Sequence, residues 1–170
     1  MREPDGFRDF VAARYPALVR LGTLLTGDPG HGEDLVQSAL EKTFRAWRRI
    51  GPDGNAEAYT RTVMARAAWR ERGRRWHGEV PTAELPEVAT DSPYAGLDQA
   101  DAVRRLLADL PAQQRVVLIL RYWVGLTEAE IAATLHCSPG TVKSRASRAL
   151  AALREHGDLA GVRLTTGGDR

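Results

Sequence analysis

The stretch LTEAEIAATLHCSPGTVKSRASRALAALR, Leu126 to Arg154, decides how this chain is read. Thr127 stands where a helix N-cap belongs, and Glu130 follows three residues later, the spacing of a capping box in which the two residues satisfy each other's free amides. Ile131 and Leu135 recur at helical spacing, and His136-Cys137 breaks the run. Ser138 caps a second helix with Pro139 at its first position, where a missing N–H costs no hydrogen bond. Val142, Ala146, Leu150 and Leu153 give that helix an apolar stripe, while Thr141, Lys143, Ser144, Arg145, Ser147 and Arg148 occupy its other faces. This is the layout of a helix-turn-helix whose second helix enters the DNA major groove by its N-terminal half. An ordinary helical hairpin with a solvated basic face is the plainer alternative. It accounts less well for caps, turn length and exposed basic groups that all agree.

The 170 residues suit one large domain or two small ones, and 43% hydrophobic residues suffice for a core. No apolar run is long enough to span a membrane. The N-terminal MREPDGFRDF has no apolar signal core, so a cytoplasmic protein is expected. Cys137 is the single cysteine, which excludes an internal disulfide and a cysteine zinc site. His31, His77, His136 and His156 lack metal-ligand spacing, so neither metal nor cofactor is expected. Only Lys42 and Lys143 among 24 basic residues are lysines. With abundant Ala and Gly, that bias suggests a GC-rich genome, so arginine content alone is weak evidence for nucleic-acid binding.

Nearly every segment has helical period and none alternates convincingly as a strand, which predicts an all-α fold. Phe7, Phe10, Val11, Leu18, Leu21 and Leu25 mark a first helical region, with Pro16 interrupting it. Thr26 to Gly30 reads as a break, a second helix runs from about Gly32 to Arg49, and Gly51 to Asn55 is turn-rich. A third helix is predicted from about Ala56 to Trp76. Between Arg61 and Trp76 there are six arginines against one acid, whereas from His77 to Asp101 there are six acids and no Lys or Arg. Pro81, Pro86 and Pro93 make the latter stretch a flexible acidic tether. Helices from Asp101 to Leu110 and from Gln113 to Trp123, parted by Pro111, then precede the helix-turn-helix. The expectation is two small helical domains, 1–76 and 98–156, joined by a linker at 77–97 and followed by a frayed tail at 157–170.

In the second helix Val36, Leu40, Phe44 and Trp47 share one stripe, while Asp34, Gln37, Glu41 and Arg45 lie on other faces. Its segment EDLVQSALEKTFRAWR is similar to region 2 of the extracytoplasmic-function (ECF) sigma factors of bacterial RNA polymerase, within the sigma-70 family. LPAQQRVVLILRYWVGLTEAEIAATLHCSPGTVKSRASRALAALR resembles their region 4. The resemblance covers about Phe7 to Trp76 and Leu97 to Glu155 in the right order. AYTRTVMARAAWRER looks most like the compact SigE-like group of actinobacteria.

The resemblance implies a sigma factor, not an enzyme, that binds core RNA polymerase and directs transcription initiation at promoters with −10 and −35 elements. Its partners would be the beta-prime clamp helices and beta flap of the polymerase, promoter DNA and an anti-sigma factor. The positions matching the polymerase-binding helix are Asp34, Leu35, Gln37, Leu40, Phe44 and Trp47. Those matching the −10 surface are Asn55, Tyr59, Arg61, Arg66, Trp69, Arg70, Arg74, Arg75 and Trp76. Arginines there neutralise phosphate and aromatics stack on unpaired bases, although Tyr59 and Trp69 fit core packing equally well. The −35 positions are Pro139, Gly140, Thr141, Lys143, Ser144, Arg145, Ser147 and Arg148. The helix N-terminus and Thr141 suit phosphate, and Lys143, Ser144, Ser147 and Arg148 suit bases.

The chain departs from the family's pattern at three positions. Arg66 stands where many relatives carry an Asn that reads a flipped base, His136 where a C-cap glycine is common, and Ser147 where some carry a bulkier residue. A regulator with a LuxR-type helix-turn-helix is the competing reading. It would need a βα receiver, for which there is no strand pattern, and it has no use for DLVQSALEKTFRAWR. An enzyme acting on nucleic acid would need a metal cluster, a phosphate-binding glycine loop or a nucleophile–base pair, and none is legible.

Overall fold

The computed structural model describes residues 4–51, 55–71 and 103–155, and every regular element among them is helical. Helix α1, Phe7–Thr26, ends where Gly27 turns left-handed at φ 80° and returns its N–H to the Thr23 carbonyl at 2.8 Å. Asp28 at once caps α2, Pro29–Ile50, by accepting from the His31 amide at 2.8 Å, and Pro29 takes the first turn. The expected break between the first two helices is therefore a two-residue reversal, and α2 begins three residues before Gly32. Nor does Pro16 interrupt α1, which runs straight through it. Leu18, Leu21 and Leu25 beyond it are almost fully buried, and that burial outweighs the missing hydrogen bond.

Helices α1 and α2 cross at backbone contact. A methyl on Gly22 would lie 2.5 Å from the Gly32 carbonyl oxygen, and one on Gly32 would lie 2.5 Å from the Thr23 nitrogen. Helix α3, Ala56–Arg70, closes the N-terminal bundle. It is tied to α2 through two buried hydroxyls, Thr43 Oγ1 and Thr60 Oγ1, 2.8 Å apart, each also bonded to the carbonyl four residues back. Among the described residues α3 stops at Arg70, short of the expected Trp76.

The C-terminal half begins with α4, residues 103–108. Pro111 then leads into α5, Ala112–Leu118, which continues as a π-helical turn, Ile119–Trp123. Helix α6, Glu128–Leu135, and helix α7, Pro139–Glu155, complete it. The tether at 77–97 and the tail at 157–170 lie outside the described residues, as do 98–102 and 156 of the expected second unit.

The two halves pack against each other. Leu18, Leu25, Val36, Met64 and Ala68 from the first share one apolar cluster with Val116, Leu120, Ile131, Leu135 and Val142 from the second. Helix α3 packs on α5 and α6, and α1 packs on α5.

Candidate nucleic-acid interface and docking helix

The helix-turn-helix forms as the sequence dictates. Thr127 Oγ1 accepts from the Glu130 amide at 3.2 Å, and the Glu130 carboxylate takes the Thr127 amide at 2.8 Å, closing the capping box. The Thr127 amide, and then its hydroxyl, hold the Glu130 carboxyl below the ordinary glutamate value. His136 ends α6 in the left-handed conformation, φ 54°, which glycine adopts without strain. Its N–H returns to the Ala132 carbonyl, which offsets part of the strain on a side-chain-bearing residue. Ser138 Oγ accepts from the Thr141 amide at 3.1 Å. Val142, Ala146, Ala149 and Leu153 are buried, with Leu150 half-buried at the edge of the stripe. Partial burial of Cys137 between the helices raises its thiol pKa.

This packing turns one face of α7 outward. Pro139, Gly140, Lys143, Ser144, Ser147 and Arg148 are exposed. Thr141 and Arg145 are half-buried, and the Thr141 hydroxyl is engaged with Ser138 Oγ at 2.9 Å. Ser144 bonds back to the Thr141 carbonyl at 3.1 Å, which fixes its rotamer while leaving its oxygen able to accept.

The docking positions on α2 divide by burial. Asp34 and Gln37 are exposed, and Leu35 and Phe44 are half-buried. Leu40 and Trp47 face inward, at 9% and 8% exposure. The Trp47 indole donates to the Asp5 carbonyl at 2.9 Å and meets Phe7 edge-on at 5.1 Å. Phe44 also stacks edge-on against Phe7, at 5.0 Å. Trp47 is thus packed into the core, and the positions of this set that α2 leaves exposed are Asp34 and Gln37, with Leu35 and Phe44 half-buried beside them.

The candidates on α3 scatter. Asn55 and Arg70 are exposed. Tyr59 is half-buried against the cluster of Trp47, Ile50 and Ala56. Arg61 pairs with Glu57, which also binds Arg14 at 3.0 Å. Arg66 turns toward the C-terminal half, donating Nε to the Thr134 carbonyl at 2.7 Å. Trp69 packs partly buried against the shared cluster. Arg74, Arg75 and Trp76 lie outside the described residues.

One group escaped the sequence reading. Lys42, Arg45, Arg48 and Arg49 of α2 line an open hollow with Tyr59 of α3. Lys42, Arg45 and Arg49 are spaced three and four apart on one face, a signal present in the sequence but overshadowed by the apolar stripe beside it. Among the described residues there is no His, Cys, Asp and Glu cluster able to hold a metal, and no helix long and apolar enough to cross a membrane.

Comparison with known proteins covers both halves. The family described as Sigma-70 region 2 matches residues 10–77, and that described as Sigma-70, region 4 matches residues 100–153. The chain is 41% identical to the RNA polymerase sigma-E factor of Streptomyces coelicolor over 162 residues, 91% of this chain and 88% of that protein. It is 38% identical to the ECF RNA polymerase sigma factor SigL of Mycobacterium tuberculosis over 149 residues, 81% of this chain and 80% of that one. Among solved structures it is similar to the sigma factor RpoE of Bartonella quintana, determined in complex with the anti-sigma factor NepR. The TM-score is 0.63 at 26% identity, covering 92% of this chain and 99% of that one. A LuxR-type regulator is not favoured, because the first half matches region 2.

Proposed function

Because the chain belongs to the extracytoplasmic-function sigma factors of the sigma-70 family, we propose that three of its helices divide promoter recognition among them. A factor of this family binds core RNA polymerase and directs promoter-specific initiation. Here α2 would carry the polymerase contact through Asp34 and Gln37, flanked by Leu35 and Phe44. The exposed polar pair supplies register and the apolar edge supplies affinity. Helix α3 would serve the −10 element with Asn55, Tyr59, Arg61, Arg66, Trp69 and Arg70. The basic hollow of α2 would take the phosphates of the same strand, beside Tyr59 as a stacking surface. Helix α7 would read the −35 element with Lys143, Ser144, Ser147 and Arg148, with its capped N-terminus on phosphate.

The single observation that carries this reading is the outward face of α7. Basic and polar side chains are held exposed there by a helix-turn-helix whose two caps are both made. The chain would confer specificity and leave bond formation to the polymerase. Its site of action would be the cytoplasm, and a regulator of the kind that NepR is for RpoE would be a further partner.

The test is transcription in vitro. The purified chain added to core polymerase should yield discrete 5′ ends downstream of a common −35/−10 pair. Asp34→Lys and Gln37→Ala should weaken capture by core polymerase with an unchanged circular dichroism spectrum. Unaltered capture by both would remove α2 from the contact.

A further inference from the structure

Lys143, Ser144, Ser147 and Arg148 are exposed together on α7, but they differ in the hydrogen-bond role left to each. An ammonium and a guanidinium have no lone pair to offer, so Lys143 and Arg148 can only donate. Ser144 and Ser147 carry the same hydroxyl three residues apart on one face. Their surroundings are not the same. Ser144 Oγ donates to the Thr141 carbonyl at 3.1 Å. Thr141 is itself held in place, its amide donating to Ser138 Oγ at 3.1 Å and its hydroxyl engaged with the same oxygen at 2.9 Å. Ser147 makes no such bond among the described residues. Turning the Ser144 proton toward a ligand breaks the bond to Thr141, whereas accepting from a ligand keeps both bonds. Ser144 is therefore left with its lone pairs, and Ser147 with its proton as well.

In the major groove only adenine, through N6, and cytosine, through N4, present a donor. Guanine presents N7 and O6, and thymine presents O4, all of them acceptors. We infer that Ser144 is the amino-group reader of α7: at one −35 position it selects a base with an exocyclic amino group, A or C, against a keto base, G or T, while Ser147 tolerates both. The inference rests on the assignment of α7 to the −35 element. Lys143 and Arg148 seek acceptors and favour guanine, so Ser144 is the one member of the exposed set restricted to accepting. The selection is worth one hydrogen bond, or about fivefold between amino and keto bases.

The test uses holoenzyme assembled from core polymerase and the full-length chain, with competition binding to a mapped promoter and its complete set of single −35 substitutions. At one position the parent should favour A and C over G and T by about fivefold. Ser144→Ala, a change that helix propensity favours, should level the four bases there, and Ser147→Ala should keep the parental ratio. The preferred base is then replaced by the same ring without its amino group, purine for adenine or 2-pyrimidinone for cytosine. That should cost the parent about fivefold and the Ser144→Ala holoenzyme nothing further, which separates a lost contact from a weakened base pair. An amino-over-keto ratio that survives Ser144→Ala would overturn the inference. So would a keto preference abolished by Ser144→Ala, a ratio levelled by Ser147→Ala instead, or an equal loss in parent and variant on removing the amino group. Lys143→Ala and Arg148→Ala separate this from the assignment of α7. If either relaxes a −35 position while Ser144→Ala relaxes none, the role of Ser144 alone fails. If none of the three changes any base ratio, α7 does not read the −35 element.

Discussion

Glu130 shows how one carboxylate can set the entry to the helix-turn-helix. Its folded-state pKa is depressed by the Thr127 amide, so its contribution is present above the ordinary glutamate value and is lost as the pH falls through the lowered one. Glu130→Gln keeps the shape of the capping box but cannot titrate. In urea denaturation the parent should be more stable than Glu130→Gln at neutral pH, and the gap should close as the pH falls below about 4. A gap independent of pH would mean that the carboxylate charge plays no part in the cap. Thr127→Ala should cost about 1 kcal/mol at neutral pH, because it removes the acceptor for the Glu130 amide and the hydroxyl that donates to the Glu130 carboxylate.

At the scale of the element, α1 contains its own flaw. Pro16 lies well inside Phe7–Thr26, where it removes one helical hydrogen bond and crowds the carbonyl four residues before it. The helix persists because Leu18, Leu21 and Leu25 are buried against α2 and the C-terminal half. Pro16→Ala should therefore stabilise the chain, by up to about 3 kcal/mol. Thermal unfolding checks this, and an unchanged or lowered Tm would show that the helix has relaxed fully around the proline. Helix α7 has no such conflict. Its caps, buried stripe and outward basic face agree, which is why its reading from sequence survives so well. Only Ala149 and Leu150 trade places in the stripe: the alanine is buried in the cluster of Leu110, Leu118 and Leu153, and Leu150 packs partly buried against it.

At the scale of the whole molecule, two basic surfaces are available for DNA, one around Lys42, Arg45, Arg48 and Arg49 and one along α7. They should separate by the kind of contact they make. Arg45→Ala should weaken all promoters alike and lower the log–log salt slope of holoenzyme binding by about 0.7 if it neutralises a single-strand phosphate. Arg148→Ala should instead change preference at one −35 base pair, costing about 1–3 kcal/mol there. Titrations at several salt concentrations with single −35 substitutions decide between them. A change of base preference from Arg45 and a uniform loss from Arg148 would reverse the assignment.

The local features of this fold were legible in one dimension. The capping box at Thr127-Glu130, the Ser138-Pro139 start and the apolar stripe of α2 are written in residues three or four apart, and backbone hydrogen bonding acts over that range. The sequence by itself therefore determined the helices, the helix-turn-helix and the family. It misplaced what depends on distant partners. Pro16 reads as a break until the leucines around it are seen to be buried, and nothing in the sequence brings Asp5 and Phe7 over Trp47. Nothing in the sequence pairs Arg66 and Arg115 with the carbonyls they reach, which lie 68 and 90 residues away. Only the tertiary structure decided that these arginines cap helices across the two halves, because an unsatisfied helix-end carbonyl attracts whichever donor the fold brings to it.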